Sequence, residues 1–392
     1  MLKAIGRIGA VSAMALLAGC LSQGNIDRRA TTFNEQIATF SNKGVLLNLA
    51  RASREEPIYF AGLGQLSSTS ATAFRVGAPQ FFLGPSLPAV DKIGTFDLAG
   101  STYLDNNTNS VLQVSMLTSD HFYNGILGAL SLRDVDLLLH QGYSRELIFY
   151  LVIDKAKITV IPPAGSTGPA PAPVMVFNDP SSPTFGLFKT YIQQAMEHGL
   201  TTNTFEGPND VASAAPVPGT PAKAGTLSVQ AELCYDKALA LPADLKDIPA
   251  GSFCGDKPSV RTSDTGASGP LYVKLNGQQL QIDVTTRSIY QIYYYLGRII
   301  ASGKEVDLQP FDLPAEKIAQ EPLITVAVDS SVTNSEAGGA CFSATSYEGK
   351  TYCVPREGAD NTKRIFGILY SLVALKQSVA DLPNTQTVRI QP

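Results

Sequence analysis

Histidine is scarce in this chain, and the patterns that usually carry catalysis are missing. The three histidines, His121, His140 and His198, have no second histidine at a metal-ligand spacing, so each is interpreted as a surface or core-edge residue. No His-Glu-x-x-His helix and no phosphate-binding loop occurs. The segment Ala250–Gly255 misses the register of a Gly-x-Ser-x-Gly elbow. A Ser-His-Asp site assembled from distant positions stays open.

Runs of basic residues are also absent. The chain has 30 basic and 34 acidic residues and a net charge of −4. Without a basic cluster it lacks the electrostatic footprint of a nucleic-acid-binding protein, and it cannot adhere to anionic lipid by charge alone. Beyond the first 20 residues no uninterrupted apolar stretch is long enough to cross a bilayer, which predicts a soluble body. We therefore expect no nucleic-acid partner.

The first 20 residues have the pattern of a bacterial lipoprotein export signal. Its parts are two cations, an apolar run and small residues before a cysteine: Lys3, Arg7, Ile8–Leu17, Ala18 and Gly19 before Cys20. The stretch is too short for a permanent membrane span. The pattern predicts cleavage between Gly19 and Cys20 and lipidation of Cys20, with an uncleaved N-terminal anchor as the alternative. Cleavage removes two basic residues and no acidic one, which leaves 28 against 34.

The lipid determines where we expect the body to lie. Because one acyl chain binds a membrane only marginally, at about 0.8 kcal/mol per buried methylene, stable attachment needs two or more chains. Mature lipoproteins that this N-terminus resembles carry three. In Gram-negative lipoproteins an aspartate after the cysteine retains the protein at the inner membrane, so by this resemblance Leu21 favours the outer membrane, with the body facing the periplasm. We expect the covalent lipid on Cys20 and no other cofactor.

Once Cys20 is assigned to lipid, four cysteines remain: Cys234, Cys254, Cys341 and Cys353. In an exported chain they predict disulfides, and the two pairs local in sequence are the simplest of three connectivities. A Cys234–Cys254 bond closes a loop of about 20 residues, worth about 3 kcal/mol in the chain-entropy description. Cys341 and Cys353 flank a predicted hairpin that turns at Ser346–Gly349. A four-thiolate zinc site is disfavoured because no Cys-x-x-Cys spacing occurs.

Composition and periodicity predict an α+β fold, with a mixed or antiparallel sheet, hairpins and several packed amphipathic helices. The length exceeds one typical domain. The predicted parts are a signal peptide (1–19), a lipidated tether (20–33), an N-terminal part of the body (34–200), a Pro/Ala/Gly-rich insertion with a local disulfide (201–269) and a C-terminal part of the body (270–392).

The predicted helices share apolar residues at helical spacing, with a polar cap or a glycine or proline stop. They cover 34–54 with a break around Gly44 and a stop at Pro57, 120–130 after Ser119 or Asp120, 132–141, 184–198, a helix from Thr286, and a last helix capped by Asn361 or Thr362. The helix from Thr286 has the clearest apolar stripe: Ile289, Ile292, Leu296, Ile299 and Ile300.

The predicted strands are rich in β-branched residues and are bounded by turn residues. They cover 58–60, 63–76, 95–103, 110–117, 146–161 as one long strand or a pair, 272–275, 278–284, 323–328 and 387–390. The cluster Asp105–Asn109 predicts a turn, and Asn276-Gly277 is the strongest hairpin signal in the chain.

Several segments resemble, in matching order, a group of uncharacterised outer-membrane lipoproteins of Gram-negative bacteria. They are Leu46–Arg51, Glu56–Phe60, Leu137–Leu151 around Gln141-Gly142-Tyr143, Arg287–Ile289 and Tyr294–Gly297. The resemblance covers patches of the body, and the shared motifs are of a structural kind. It implies an outer-membrane address and a coherent fold. The group has no assigned activity, so it supplies no functional residues.

Two features of the sequence are candidates for binding. Tyr290, Tyr293, Tyr294 and Tyr295 crowd one helix, and consecutive residues point around a helix axis, so they cannot all share the isoleucine stripe. They form either a helix buried on most sides, with each hydroxyl partnered, or an aromatic contact surface for protein or glycan. The second feature comprises Arg51, Arg54, Glu55 and Glu56. It is either an ion pair that fixes the corner before Pro57 or a ligand-binding arginine.

These observations favour a non-enzymatic outer-membrane lipoprotein that acts as a structural or protein-interaction component of the envelope. Its expected partners are the membrane, through the lipid, and an envelope protein. One alternative is an envelope hydrolase for glycan or ester substrates, which predicts paired carboxylates about 5–10 Å apart in a groove. A deep cleft in which a serine, aspartate or glutamate bonds one of the three histidines would count against the non-enzymatic hypothesis. Another is a carrier of an apolar ligand, which predicts an enclosed cavity of at least ~300 Å³.

Overall fold

The structure, a computed structural model, describes residues 31, 34–74, 104–163, 171–208, 227–240, 245–249, 251–255, 271–275, 277–308, 321–329 and 340–377. Over these residues the protein is α+β with antiparallel sheets, as predicted from the sequence. Within the same ranges, no helix combines the length and apolar character that a bilayer crossing requires. The chain divides into two compact units, one containing Ser119–Gln377 and the residues up to Tyr59, the other containing Phe60–Thr118.

The smaller unit contains one long antiparallel hairpin. Strand β1, Ala61–Phe74, pairs with β2, Leu104–Met116, from Ala61 opposite Met116 to Phe74 opposite Leu104. The turn predicted at Asp105–Asn109 is wrong, because these residues lie within β2 opposite the Ser/Thr-rich half of β1. The strand predicted at 58–60 is wrong, because these residues form no strand and β1 begins after them. The strand predicted at 95–103 lies outside the described residues.

A four-stranded sheet forms the centre of the larger unit. Its order is β4 (Val174–Phe177), β3 (Ile153–Ile161), β8 (Gln278–Thr286) and β7 (Leu271–Leu275). Alternate residues of β8 are buried, so one face of the sheet faces the core. The β7–β8 hairpin turns at Gly277, whose φ of 77° suits glycine and confirms the predicted turn.

The strand predicted at 146–161 is half wrong. Residues Arg145–Val152 form helix α4, and only Ile153–Ile161 form a strand. Ser144 begins the helix by accepting a hydrogen bond from the Leu147 amide at 3.4 Å. All eight residues of α4 are buried, so the helix has no polar face to give the sequence a helical period.

The other helices lie close to their predicted positions. They are α1 (34–52), α2 (Asp120–Leu127), α3 (Leu132–His140), α5 (Phe185–Glu197), α6 (Ile289–Ser302) and α7 (Asp360–Lys376). Ser119 caps α2 as predicted, and Gly142 and Gly199 follow α3 and α5 with a φ of 83° each.

Helix α2 ends at Leu127, three residues before the predicted end, and three further helix ends also differ from the prediction. Helix α1 continues through Gly44 and ends at 52, before a turn in which Glu55 has a positive φ, so Pro57 is not the stop. Helix α6 begins at Ile289, because Ser288 and Gln291 form its capping box. Neither Asn361 nor Thr362 caps α7. Its first turn is capped instead by the Glu321 carboxylate, which accepts a hydrogen bond from the Asn361 amide at 3.1 Å.

Both predicted disulfides are confirmed. The Cα atoms of Cys234 and Cys254 are 4.9 Å apart, and those of Cys341 and Cys353 are 5.7 Å apart. The first bond ties β6 (Leu227–Tyr235) to a downstream loop, and β6 pairs with β5 (Leu200–Pro208) in a hairpin that the sequence did not predict. Cys234 and Tyr235 are buried, so the 201–269 region contributes to the core.

The second disulfide crosses the predicted hairpin of β10 (Cys341–Tyr347) and β11 (Lys350–Pro355). The strand predicted at 323–328 is short, since only β9 (Ala327–Asp329) pairs with β11. Leu323 is instead buried, with its amide bonded to the Val306 carbonyl oxygen at 2.7 Å. The predicted strand 387–390 lies outside the described residues.

One buried arginine joins α4, the residue that follows β4, and α6. Arg287 is 1% exposed, and its Nη1 donates hydrogen bonds of 3.1 Å to the carbonyl oxygens of both Tyr150 and Leu151. Its Nη2 donates to the carbonyl oxygen of Asn178, and its guanidinium lies 3.7 Å from the centre of the Tyr295 ring. Burial lowers the pKa of the guanidinium below its ordinary value. This node fixes the start of α6 against the central sheet.

Candidate functional site

The predicted lipidation residues, Gly19 and Cys20, lie outside the described residues, so the processed and lipidated N-terminus stays a prediction. Both binding features predicted within the body fall among the described residues, and the structure places them next to each other. We call their meeting point the aromatic corner. It consists of Arg51, Arg54, Glu56, Tyr59, Tyr290, Tyr294, Tyr347 and Glu348.

Three elements build the aromatic corner. The end of α1 and the segment that follows supply Arg51, Glu56 and Tyr59, helix α6 supplies two tyrosines, and the tip of the β10–β11 hairpin supplies Tyr347. Tyr290 and Tyr294 are one helical turn apart, with ring centroids 4.9 Å apart and hydroxyls 3.1 Å apart.

The four clustered tyrosines of α6 divide between core and surface. Tyr293 and Tyr295 are buried, so Tyr293 does not belong to the contact surface for which the sequence nominated it. Burial raises the pKa of Tyr293, and it raises the pKa of Tyr295 to about 12. Tyr290 and Tyr294 are half-buried, and both reach the corner. The burial of Tyr293 and Tyr295 agrees with a helix buried on most sides, whereas a contact surface at Tyr290 and Tyr294 stays a prediction.

Arg51 lies between two aromatic rings. Its guanidinium carbon is 5.1 Å from the ring centre of Tyr59 and 5.7 Å from that of Tyr347. Its Nη1 also donates a hydrogen bond to Asn48 Oδ1 at 3.3 Å. Cation–π contacts of this kind contribute about 0.5–1 kcal/mol at exposed sites. The arginine is therefore held in place by rings, and Tyr59 remains 50% exposed.

Glu56 connects the charged and aromatic residues of the corner. Its carboxylate accepts hydrogen bonds from Arg54 Nε at 3.1 Å and from the Tyr347 hydroxyl. The bond from Tyr347 is the main cause that lowers the pKa of Glu56, and the same bond raises the pKa of Tyr347. Arg54 makes a second ion pair with Glu348. Arg54 therefore forms an ion pair, as one of the two hypotheses for this corner predicts. Arg51 is held instead by the Asn48 side chain and by the two tyrosine rings.

A second site was missed by the sequence reasoning. An open cavity of 310 Å³ lies between the end of α3, the start of α4 and the start of β5. We call it the α3–β5 pocket. It is lined by Asp136, Leu139, His140, Tyr143, Arg145, Thr201, Thr202 and Leu239. The only sequence signal for it is the spacing of Asp136 and His140, which places both on one face of α3.

The polar groups of the α3–β5 pocket are positioned by hydrogen bonds. Thr202 donates its hydroxyl to Asp136 Oδ1 at 2.8 Å, and Arg145 Nη1 donates to the Leu200 carbonyl oxygen at 3.1 Å. His140 Nδ1 lies 2.9 Å from the Asp136 carbonyl oxygen and 3.4 Å from Asp136 Oδ2. Asp136 and Arg145 are buried, whereas the His140 side chain is 74% exposed.

Two further cavities have mixed charge. One, of 320 Å³, contains the Arg298–Asp179 ion pair with its N–O distance of 2.8 Å. The other, of 370 Å³, lies along α1 and includes Glu35 and Lys43. Among the residues that the structure describes, no group of three or more histidine, cysteine, aspartate or glutamate side chains is arranged to hold a metal ion.

No protein-family model, no curated protein and no solved structure matches this chain. The resemblance to uncharacterised outer-membrane lipoproteins therefore stays a prediction.

Proposed function

We propose that the protein is an outer-membrane lipoprotein that binds another envelope protein through the aromatic corner. In this proposal the lipid on Cys20 holds the body at the periplasmic face of the outer membrane. The supporting sequence pattern is the cationic, apolar and small-residue order that leads to Cys20. The binding proposal depends on one observation: three segments distant in sequence meet in a single patch around Arg51, Tyr59 and Tyr347.

The composition of the corner fits a protein interface. Tyrosine and arginine are the residues that most often dominate the binding energy of such interfaces, because they combine a large apolar area with directed polar groups. Tyr59 offers an exposed ring, and Arg51 behind it is already fixed by Tyr347. When a partner covers Tyr59, little further side-chain entropy is therefore lost in ordering Arg51.

The charges of the corner balance one another. Arg54 is paired with Glu56 and Glu348, and Arg51 adds one further cation. The surface therefore has no strong field of one sign that would steer a charged polymer. We expect binding to be carried by aromatic contact, and to change little between low and moderate salt.

The anchor is tested by replacing Cys20 with serine. The wild type is expected to fractionate with the outer membrane, at a mass that has lost residues 1–19 and gained acyl chains. The Cys20→Ser variant is expected in the soluble periplasmic fraction or as an unprocessed precursor without the acyl chains. Unchanged fractionation and unchanged mass in both proteins would overturn this half of the proposal.

The partner is tested by photo-crosslinking in intact cells. A benzoylphenylalanine at Tyr59 is compared with one at Tyr370, because these two tyrosines are almost equally exposed, at 50% and 52%, and Tyr370 lies on α7, which supplies no residue to the corner. We expect a discrete adduct with an envelope protein at position 59 only, and its loss when Arg51 is also replaced by methionine. Equal adducts at both positions, or none at position 59, would contradict the proposed interface.

The hydrolase alternative has one observation in its favour, namely the contact between His140 and Asp136 in the α3–β5 pocket. The nearby hydroxyl of Thr202 is bonded to the aspartate and not to the imidazole. Because a Ser/Thr–His site requires the hydroxyl to bond the base, we propose ligand binding over catalysis at this pocket. The apolar-carrier alternative is less well supported, since all three cavities above carry charged side chains.

A further inference from the structure

We propose that the α3–β5 pocket binds a neutral pyranose sugar. The proposal is independent of the aromatic corner, because the two sites share no residue. It depends on the size of the cavity, on the kinds of polar group that line it, and on the balance of its charges.

The size of the cavity fits a small ligand. Cavities that bind small molecules begin at about 300 Å³, and this one has 310 Å³ and opens to solvent. A ligand of one sugar ring, extended at the open side by a second ring, is therefore favoured over a long acyl chain or a nucleotide.

The polar groups can both donate and accept hydrogen bonds, as a ring of hydroxyls requires. The Asp136 carboxylate has room for about four acceptor bonds, and Thr202 uses one of them. The Thr201 hydroxyl can donate or accept, the Thr202 oxygen can accept while its proton is bonded to Asp136, and Arg145 contributes donors. Because Asp136 and Arg145 are already fixed by hydrogen bonds, the site loses little conformational freedom when a ligand enters.

The charges of the pocket favour a neutral ligand. One buried carboxylate, Asp136, and one buried guanidinium, Arg145, both line the cavity, so neither a phosphate nor an ammonium group is matched by the site as a whole. A charged ligand would bring its charge beside one group of the same sign in a partly dehydrated cavity, which is unfavourable. A neutral polyol meets both groups as hydrogen-bond partners.

Two leucines complete the match. Leu139 and the exposed Leu239 line the same cavity. A pyranose ring has an apolar C–H face and a polar rim, so leucine side chains can cover the face while Asp136 and the threonines bind the rim.

The test uses the full chain and exploits its lack of tryptophan. Leu239→Trp places a single fluorophore at the pocket, and Leu187→Trp places one at an exposed position of α5 as the matched control. N-acetylglucosamine, its β-1,4-linked dimer and glucose are titrated as neutral probes, with glucuronate and glucosamine as charged probes. We expect a saturable fluorescence change with a neutral sugar in Leu239→Trp only, at a Kd of about 1 mM, typical of a single-ring ligand.

Further variants assign the binding to named groups. Saturation-transfer NMR on the chain without tryptophan checks that binding does not arise from the introduced indole. Thr202→Val and His140→Gln are expected to weaken binding, by about tenfold for Thr202→Val, which disturbs Asp136. Thr190→Val and His121→Gln, on the exposed faces of α5 and α2, are expected to leave it unchanged. Unaltered thermal melting verifies that each variant is folded.

Three results would overturn the proposal. They are no saturable response to any neutral sugar in either assay, tighter binding of glucuronate or glucosamine than of the neutral probes, and equal binding by wild type and Thr202→Val. None of these results would bear on the aromatic corner, which is tested separately by crosslinking at Tyr59.

Discussion

The hydroxyl of Tyr294 donates a hydrogen bond of 2.8 Å to the main-chain carbonyl oxygen of Glu56, 238 positions earlier in the chain. The bond joins helix α6 to the segment that follows α1, and so brings both of the sequence-nominated binding features into one surface. Glu56 then reaches the hairpin tip through Tyr347. The aromatic corner is therefore a tertiary feature, and its parts can be tested separately.

Tyr294→Phe is expected to lower the free energy of unfolding by about 1 kcal/mol, because the part-buried carbonyl oxygen of Glu56 loses its hydroxyl donor while the ring remains. Tyr290→Phe is the control, since it removes only the 3.1 Å contact between the two tyrosine hydroxyls. Urea unfolding at pH 7 measures both changes. An equal loss of unfolding free energy in the two variants would show that the bond to Glu56 contributes no more than the contact between the two hydroxyls.

Alkaline pH is expected to destabilise the protein between pH 10 and 12. Burial raises the pKa of Tyr294 and of Tyr295 to about 12, against about 10 in an unfolded chain. The folded state therefore holds these protons more tightly, so the stabilisation is complete below pH 10 and is lost as the pH rises towards 12.

The measurement is the melting temperature at pH 9, 10, 11 and 12. Tyr295→Phe is expected to reduce the fall between pH 10 and 12, although it also costs stability at pH 9, because the hydroxyl bonds Asn178 Oδ1 at 3.0 Å. Tyr370→Phe, on an exposed site, is expected to leave the pH dependence unchanged. A pH profile that is identical in wild type and Tyr295→Phe would contradict this assignment.

The parts of the fold that depend on local interactions could be predicted from the sequence. The isoleucine stripe of α6, the Gly277 turn and the local cystines all involve residues close together in the chain. Helix α4 was mistaken for a strand because burial on every side removes the periodic pattern. The cap of α7 was misassigned because its acceptor, Glu321, lies 40 residues before Asn361.

The site was predictable only in pieces. Arg51 and Tyr294 were both nominated, but nothing local in the sequence indicates that Glu56 and Tyr347 connect them. The α3–β5 pocket was missed for the same reason. Its carboxylate and its hydroxyl partner, Asp136 and Thr202, are 66 positions apart.

Of the substitutions proposed here, Arg287→Met is expected to be the most damaging. It should lower the free energy of unfolding by about 3–5 kcal/mol or prevent folding. It leaves the buried carbonyl oxygens of Tyr150, Leu151 and Asn178 without the guanidinium that they share. Arg298→Met, within the helix that begins just after Arg287, is the matched control. Its half-exposed ion pair with Asp179 is expected to contribute at most about 1 kcal/mol. Comparable losses of the unfolding free energy in the two variants would refute the role assigned to the buried node.

Gly297→Ala tests how closely α6 approaches the end of α1. A Cβ atom at this position would lie 2.5 Å from the carbonyl carbon of Ala52 and 2.6 Å from the amide nitrogen of Ser53, so the backbone that leads into the corner must move. Overpacking of this kind costs about 1–3 kcal/mol. It outweighs the gain of at most about 1 kcal/mol that alanine brings to a helix interior.

Gly44→Ala isolates that gain, because Gly44 also lies within a helix but a Cβ there meets nothing within 4 Å. We expect Gly44→Ala to stabilise the protein by about 0.5–1 kcal/mol and Gly297→Ala to destabilise it. Chemical unfolding of the two variants beside wild type measures the sign of both changes in unfolding free energy. If Gly297→Ala were also stabilising, α1 and α6 would have to be farther apart than the structure places them, and the Tyr294–Glu56 bond would lose its support.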